Sequence, residues 1–464
     1  MDRNRTAPLQ GWTPSPDGRG TIDIISSSVI TLFFCSWSVL CLNLFPPSFG
    51  ERRKNWRKFL MAGLAFAGPE FLFQLALGQW CAARRSVNQF RRMKCSGRKM
   101  EHEWTMRHAF LANMGGFVLQ TRLESSGEDW VCFPLDANQL FYLVEHDYIS
   151  YDEVGIHKKV ISDKNKADAL VRIIIVCQIL WYCIACIARL CQHLEVTLLE
   201  VATVGFIFCS AGTYIFWFNK PMDVERAIVL RPSATIEQIL RDAGEDARQP
   251  YRLTPMDFVA REEWSWTLYW THWKGLIRKF GVNWDRMVRP MDKIPDDNFP
   301  LIEGWPMWIL AVFQIGYGAI HLTGWNLSFP THTEKLLWHI ATVTIMVCIL
   351  STWAVEVYAW RMPTGLERRE KASTDVQNGE NSTSLPRWCS MRRIKRVASR
   401  LRNTTNPHDP VMDVPLRTLV PVTLAAFTYT FARTFIILEG FVNLRALPPS
   451  TYQSVDWMAF LPHF

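Results

Sequence analysis

Residues 170–190, LVRIIIVCQILWYCIACIARL, and residues 195–218, EVTLLEVATVGFIFCSAGTYIFWF, are two nearly uninterrupted apolar runs separated by four residues. A helix needs about 20 apolar residues to cross a bilayer, and a barrel strand only about 10. Both runs fit the first length and exceed the second. Only helices and closed barrels satisfy their own backbone in hydrocarbon, so the pair reads as a helical membrane hairpin. Five more segments of similar character flank it, at about 22–45, 60–80, 305–324, 336–359 and 417–441. The expected fold is therefore an all-α polytopic helical membrane protein. It has about seven transmembrane helices, or six plus one re-entrant segment, with long cytoplasmic loops.

Composition agrees with apolar blocks diluted by polar segments. The 464 residues are 49% hydrophobic and 13% aromatic, yet the mean hydropathy is zero. So much aromatic and aliphatic content excludes a disordered chain. A net charge of +8 spread over this length gives no reason to expect a nucleic-acid partner. Seven of the twelve Cys lie in apolar runs, where thiols act as small hydrophobes. The Cys183-Ile-Ala-Cys186 pair is read in that way.

The expected boundaries follow. A polar N-terminus (1–21) precedes two membrane segments (22–80), a cytoplasmic loop (81–169) and a membrane hairpin (170–218). A second loop (219–304), a second hairpin (305–359), a third loop (360–416) and a last helix with its tail (417–464) complete the chain. Segments 81–169, 219–304 and 361–416 hold 13, 13 and 11 Lys and Arg, whereas 191–194 and 325–335 hold none and one. Positively charged segments stay in the cytoplasm, which puts the C-terminus outside, in either the endoplasmic reticulum or the plasma membrane.

One connector resists. Residues 51–58 carry five basic groups, yet seven simple crossings would leave them outside. The run that follows has Gly68-Pro69-Glu70 at its centre, and Pro removes a helical hydrogen bond. Two arrangements result. Seven crossings with a cytoplasmic N-terminus is the preferred one. Six crossings, with 60–80 re-entrant and the N-terminus outside, satisfies every basic segment.

Two cytoplasmic stretches have amphipathic patterns. Thr254-Pro255-Met-Asp257 reads as a helix start. Beyond it Trp266, Tyr269, Trp270, Trp273, Leu276, Ile277 and Phe280 recur at helical spacing, which suits an interfacial helix or one packed on its own loop. Residues 372–386 are polar and read as disordered. Residues 387–402, RWCSMRRIKRVASRLR, hold seven basic groups and no acid, a helix expected to bind anionic lipid.

Ionisable groups inside spans are costly and mark sites. Glu70, Glu200, Arg433 and Glu439 are the catalytic candidates. Asp23, Glu195 and Glu356 lie at span ends, where capping or snorkelling accounts for them. Gln314, Tyr317 and His321 fall at i, i+3 and i+7 beside Gly316 and Gly318, a stripe that can line a substrate pocket or supply interhelical hydrogen bonds. Asp296-Asp297 reads as a solvated turn. There is no phosphate loop, nucleophile elbow or His-Glu-x-x-His, so neither cofactor nor metal is expected and no reaction is named. Membrane lipid and an apolar small molecule are the expected partners.

Several stretches together resemble a large family of polytopic membrane proteins of filamentous fungi. They include Gly11-Trp-Thr-Pro14, Arg19-Gly-Thr-Ile-Asp-Ile24, Gly78-Gln-Trp80 with Ala83-Arg84, Met114-Gly-Gly-Phe117, Ile161-Ser-Asp-Lys164 and Lys220-Pro-Met-Asp-Val224. Gly324-Trp-Asn-Leu-Ser-Phe-Pro-Thr331 with Glu334 and Leu337-Trp338, then Arg433, Glu439, Leu444-Arg445 and Pro448, extend the likeness over nearly the whole chain. The resemblance implies a fungal source and a link to secondary-metabolite biosynthesis. It assigns no residue a role. Three classes remain: an accessory protein or enzyme acting on an apolar intermediate at the bilayer, a sensor or scaffold, and a transporter, the last disfavoured by the lack of repeats.

Sequons test the orientation. Asn326 faces outward in both arrangements, Asn4 only in the six-crossing one, and Asn381 and Asn403 in neither. Endoglycosidase shifts of single-sequon variants are expected to leave Asn381 and Asn403 bare, and a sugar on either reverses the orientation.

Overall fold

The computed structural model describes residues 9–15, 18–95, 102–122, 130–156, 166–222, 224, 226–248, 251, 253–259, 269–270, 272–274, 276–277, 281, 289–360 and 416–460. Asn4, Asn381, Asn403 and the basic stretch 387–402 lie outside them. The chain divides into two units. The first holds Met1–Ala260, Val288–Met346 and Tyr429–Phe464, and the second Arg261–Met287 and Val347–Thr428.

In the first unit, α1 (Thr21–Phe33) runs on into a π-helical turn, Phe34–Ser38. The pair α2 (Glu51–Ala67) and α3 (Pro69–Cys95) follows. Next come α4 (Met106–Asn113), strands β1 (Phe117–Arg122) and β2 (Trp130–Leu135), α5 (Ala137–Glu145) and the single turn α6 (Tyr151–Val154). Helices α7 (Lys166–Cys191) and α8 (Leu198–Phe216) precede β3 (Ile228–Leu230) and α9 (Ile236–Asp242). Helix α10 (Pro306–Leu322) completes the part within one unit. Helices α11 (His332–Trp360) and α12 (Leu416–Val442) each continue from one unit into the other.

Among the described residues, six helices are long and apolar enough to cross a membrane: Thr21–Ser38, Ile173–Cys191, Leu198–Phe216, Pro306–Asn326, His332–Val355 and Thr418–Arg445. The segment around 60–80 is not a straight seventh. Gly68 leaves the helical region at φ −154°, ψ 88°, and α2 and α3 meet at 112°. Pro69 has no N–H to extend α2 but suits the first position of a new helix. Gly68 serves both helices, its N–H bonding Leu64 O at 2.9 Å and its carbonyl accepting from Phe71 at 3.1 Å.

Contacts at the helix ends show where the bent pair goes. At one end Gln10 and Leu447 exchange two backbone hydrogen bonds of 2.8 and 2.9 Å. There Tyr452 Oη donates to Gly11 O at 2.8 Å, and Arg189 donates to the carbonyls of Glu195, Ser450, Thr451 and Gln453. Ser328 Oγ donates to Glu195 at 3.2 Å. At the opposite end Asp296 gathers Asn43 N (2.7 Å), Arg57 Nη2 (3.3 Å) and Lys293 Nζ (2.5 Å), while Arg85 Nη1 donates to Leu301 O at 2.9 Å. Helix α2 thus begins, and α3 finishes, at the same end. The described N-terminal residues pair with the C-terminal tail at the other. The described residues thus hold six long apolar helices and one pair, α2 and α3, bent by 112°.

The expectation of an all-α chain needs correction. The polar segments after α3 and α8 share a three-stranded sheet of order β2-β1-β3. Strand β1 is antiparallel to β2, with Phe117 opposite Leu135, and parallel to β3, with Phe117 opposite Ile228. Asp136 caps α5 by accepting from Asn138 and Gln139. Phe90 of α3 stacks on Trp104 at 4.4 Å, and the indole donates to Ser86 Oγ at 3.1 Å. Asp296 and Asp297 are buried, at 4% and 1% exposure, not a solvated turn. Thr254-Pro255 opens a 3-10 helix, Pro255–Val259, and residues 260–268 lie outside the described residues. Cys183 and Cys186 pack with Ile175, Ile179 and Phe206.

In the second unit residues 269–270, 272–274 and 276–277 are helical. Tyr269 is buried, and Trp273 Nε1 donates to Thr423 Oγ1 of α12 at 3.1 Å. Trp266 and Phe280 of the expected aromatic stripe fall outside the described residues.

Helices α3, α8 and α10 are closely packed. Phe313 stacks between Phe73 (4.1 Å) and Phe208 (4.6 Å). A Cβ on Gly212 would meet Phe313 at 2.5 Å and Phe73 at 2.6 Å, whereas one on Gly63 of α2 meets nothing within 4 Å. Overpacking of this kind costs about 1–3 kcal/mol. Gly212→Ala is therefore expected to lower the thermal unfolding midpoint of the solubilised protein, and Gly63→Ala to hold or raise it.

Candidate functional site

The break at Gly68–Pro69 sets Glu70 in the first turn of α3, at 1% exposure. Tyr429, on the turn of α12 before Arg433, donates its hydroxyl to Glu70 Oε1. Arg433 itself is 2% exposed. Its Nη1 lies 2.9 Å from His321 Nε2, and His321 Nδ1 lies 2.9 Å from the Tyr317 carbonyl. Arginine has no lone pair to offer. His321 Nε2 must therefore accept, its proton sits on Nδ1, and the imidazole is neutral. The guanidinium carbon lies over the rings of Phe206 at 4.7 Å and Tyr317 at 5.2 Å, a contact worth about 2 kcal/mol when desolvated.

Gly205 of α8 lets this happen. A Cβ there would lie 3.0 Å from His321 Cε1 and 3.4 Å from Tyr317 Cε2, so a larger residue would push α10 away. On the α3 side, Gln314 Nε2 approaches Gln74 Oε1 at 3.5 Å. Four elements thus converge: α3 with Glu70 and Gln74, α8 with Phe206, α10 with Gln314, Tyr317 and His321, and α12 with Tyr429 and Arg433.

The cluster is incompletely satisfied. Glu70 Oε2, Tyr317 Oη and Arg433 Nε and Nη2 are buried with no hydrogen-bond partner. No ion pair joins Glu70 to Arg433 directly. A buried polar atom without a partner costs about 1–3 kcal/mol, so this cluster leaves a cost that its own side chains do not offset.

The candidates read from the sequence separate accordingly. Glu70, Arg433, Gln314, Tyr317 and His321 come together. Glu439 does not: it lies six residues, about 9 Å of helix rise, beyond Arg433, in the neighbourhood of Glu334 and Arg445. It is 4% exposed, and its Oε1 has no hydrogen-bond partner. Glu200 has a local role, since it and Thr197 cap α8 reciprocally and it pairs with Arg19. Asn326 is exposed in a 3-10 turn, Thr323–Asn326. Tyr429 escaped the sequence reading although it lies one turn from Arg433 on the same helical face. No group of three or more His, Cys, Asp or Glu able to hold a metal occurs among the described residues.

A second polar cluster joins α3 to the turn that follows α8. Lys220 Nζ and Trp217 Nε1 both donate to Gln79 Oε1, at 2.9 and 3.0 Å. Burial pushes the Lys220 ammonium down to about 8. Burial alone would raise the Asp296 carboxyl, but Lys293, Arg57 and the Asn43 N–H together hold it below its ordinary value.

The sequence matches a family of unknown function (DUF8562) over residues 2–241, just over half of the chain, and the chain belongs to that family. No curated protein and no solved structure matches it. The matched span contributes Glu70, Gln74 and Phe206 to the site. Tyr317, His321, Tyr429 and Arg433 lie beyond it.

Asp296 gives a pH signature. With its folded pKa below the unfolded value of about 3.9, its contribution is complete above the carboxylate range and disappears as pH falls through the folded value. Asp296→Asn should cost about 3–5 kcal/mol near pH 7 by breaking a buried pair. In denaturant titrations, that deficit should shrink steadily as the pH drops below 4.

Proposed function

We propose that this chain is a multi-pass integral membrane protein that holds an apolar-bodied small molecule against the charged cluster between its helices. In this reading it is an accessory protein or enzyme of fungal secondary-metabolite biosynthesis. The observation that carries the proposal is the set of buried, unpartnered atoms on Glu70, Tyr317 and Arg433. Ionisable groups within spans belong by default to binding or proton pathways.

The outer faces of the long helices support insertion. On α7, Ile173, Ile174, Leu180, Ile187 and Leu190 are each more than half exposed, as are Trp308 and Val312 of α10. Apolar surface on that scale needs a cover, and lipid provides it. Six crossings with the α2–α3 pair re-entrant would place residues 51–58 on the same side as the segments 81–165 and 219–304, in line with the basic-residue rule. The biosynthetic assignment is supported by the resemblance to fungal membrane proteins.

One feature favours transport as a second reading. Transporters bind substrates near mid-membrane at broken helices, where a half-helix N-terminus meets the ligand. Glu70 stands at such a break.

Deletion of the gene in its native host, followed by untargeted metabolite profiling, separates these readings. A biosynthetic role predicts an accumulating intermediate that wild type clears on complementation. An unchanged profile argues against it, and loss of uptake or export of one compound favours transport. Glu70→Gln and Arg433→Ala are expected to fail in complementation while remaining inserted and abundant. Full complementation by both would eliminate the cluster as the site.

A further inference from the structure

We infer that the ligand carries a carboxylate, bound side-on by the Nε and Nη2 donors of Arg433, on an otherwise lipophilic monoacid. The inference rests on the reading of the buried cluster as a ligand site and names the chemistry of what enters it.

Part of the guanidinium is already engaged. Its carbon lies over the rings of Phe206 and Tyr317, and Nη1 is bonded to His321. What remains is the adjacent pair Nε and Nη2, both buried and without partners. These two N–H groups point the same way, and their spacing matches the two oxygens of a carboxylate in a bidentate contact. A lone hydroxyl or ether oxygen would use one donor and leave the other unmet.

Charge then selects among anions. His321 is neutral because its Nε2 accepts from Arg433, so the described residues of the cluster hold one cation. No Lys or second Arg joins it there. A carboxylate adds one negative charge beside Glu70 and a phosphate near its second ionisation adds almost two, so the monoanion is the less costly of the two. Tyr317 Oη lies beside Tyr429 and has no acceptor of its own, so its proton can go to the same carboxylate or a neighbouring acceptor. Glu70 Oε2 is a free acceptor, suited to a hydroxyl on the ligand, while Tyr429 occupies Oε1. Phe206 lies under the guanidinium, and Phe73 and Phe313 stack between the same helices α3 and α10 beside the Gln74–Gln314 contact, which suits a lipophilic body on the acid.

The test is calorimetric titration of the full-length, detergent-solubilised protein with three probes of equal chain length: decanoate, decanamide and decyl phosphate. Decanoate should bind saturably, one per chain. Decanamide and decyl phosphate should each bind at least about tenfold more weakly. Arg433→Lys keeps the charge but loses the fork, and should weaken decanoate by about tenfold or more. Tyr317→Phe, which keeps the ring over Arg433, should weaken it about threefold. Because Arg433→Lys could fail to fold, its unliganded elution profile and unfolding midpoint are compared with wild type, and Tyr317→Phe serves as the second variant.

Undiminished decanoate binding by a folded Arg433→Lys overturns the inference. So does equal or tighter binding of the amide or the phosphate. Binding of decanamide alone, abolished by Glu70→Gln, overturns the carboxylate while keeping the site. If no probe binds, the carboxylate is overturned. The site reading falls with it only if Glu70→Gln and Arg433→Ala also complement the deletion.

Discussion

Pro69 cannot donate to the carbonyl four residues before it, and most of what distinguishes this structure depends on that missing hydrogen bond. Freed at Gly68, the chain turns through 112° and starts a new helix instead of continuing across. Helix α2 therefore enters from the end marked by Asp296, and α3 returns to it. The turn leaves Glu70 buried among long helices, where a continuous span would have carried it past. Tyr429 and Arg433 on α12 and His321 on α10 then complete the cluster. Without the break, the two halves of 51–95 would emerge at opposite ends and the Asp296 anchor could not hold Arg57.

The sequence displayed some of this plainly. Apolar length marked all six long helices within a few residues, because that signal is local and cumulative. The Gly68-Pro69-Glu70 motif and the basic connector 51–58 pointed to a return, but neither could weigh a bent pair against a straight crossing. The bend is accompanied by contacts such as Arg57 reaching Asp296, between residues hundreds of positions apart. The sheet was hidden for the same reason. Strands β1 and β3 pair across more than a hundred residues, and β3 is only three residues long. A run that short carries no usable periodicity.

The candidate site was legible in its parts but not in its grouping. The spacing of Gln314, Tyr317 and His321 placed them on one face of α10, and all three are buried. Glu70 and Arg433 stood out as charges in apolar runs. Glu200 and Glu439 stood out equally, yet one caps its own helix and the other lies two turns from the cluster. Sequence gives the cost of burying a charge; it does not say which neighbour meets it. Tyr429 was missed because a phenol inside a span attracts no notice until its hydroxyl is seen on Glu70.

Whether this cluster is structural glue or a site turns on how it disposes of its two opposite charges. A buried ion pair serves structure best in direct, fully hydrogen-bonded contact, since anything less leaves desolvation uncompensated. Here the acid and the base lie near one another and do not touch. Tyr429 takes one oxygen of Glu70, and neutral His321 takes one nitrogen of Arg433, each a weaker partner than the opposite charge would be. The Arg433 fork and the second Glu70 oxygen are left over. Gly205 lets Tyr317 and His321 lie close against α8, and the guanidinium rests over the rings of Phe206 and Tyr317. Side chains arranged for cohesion alone would pair the Arg433 fork with the second Glu70 oxygen; here both stay without a partner.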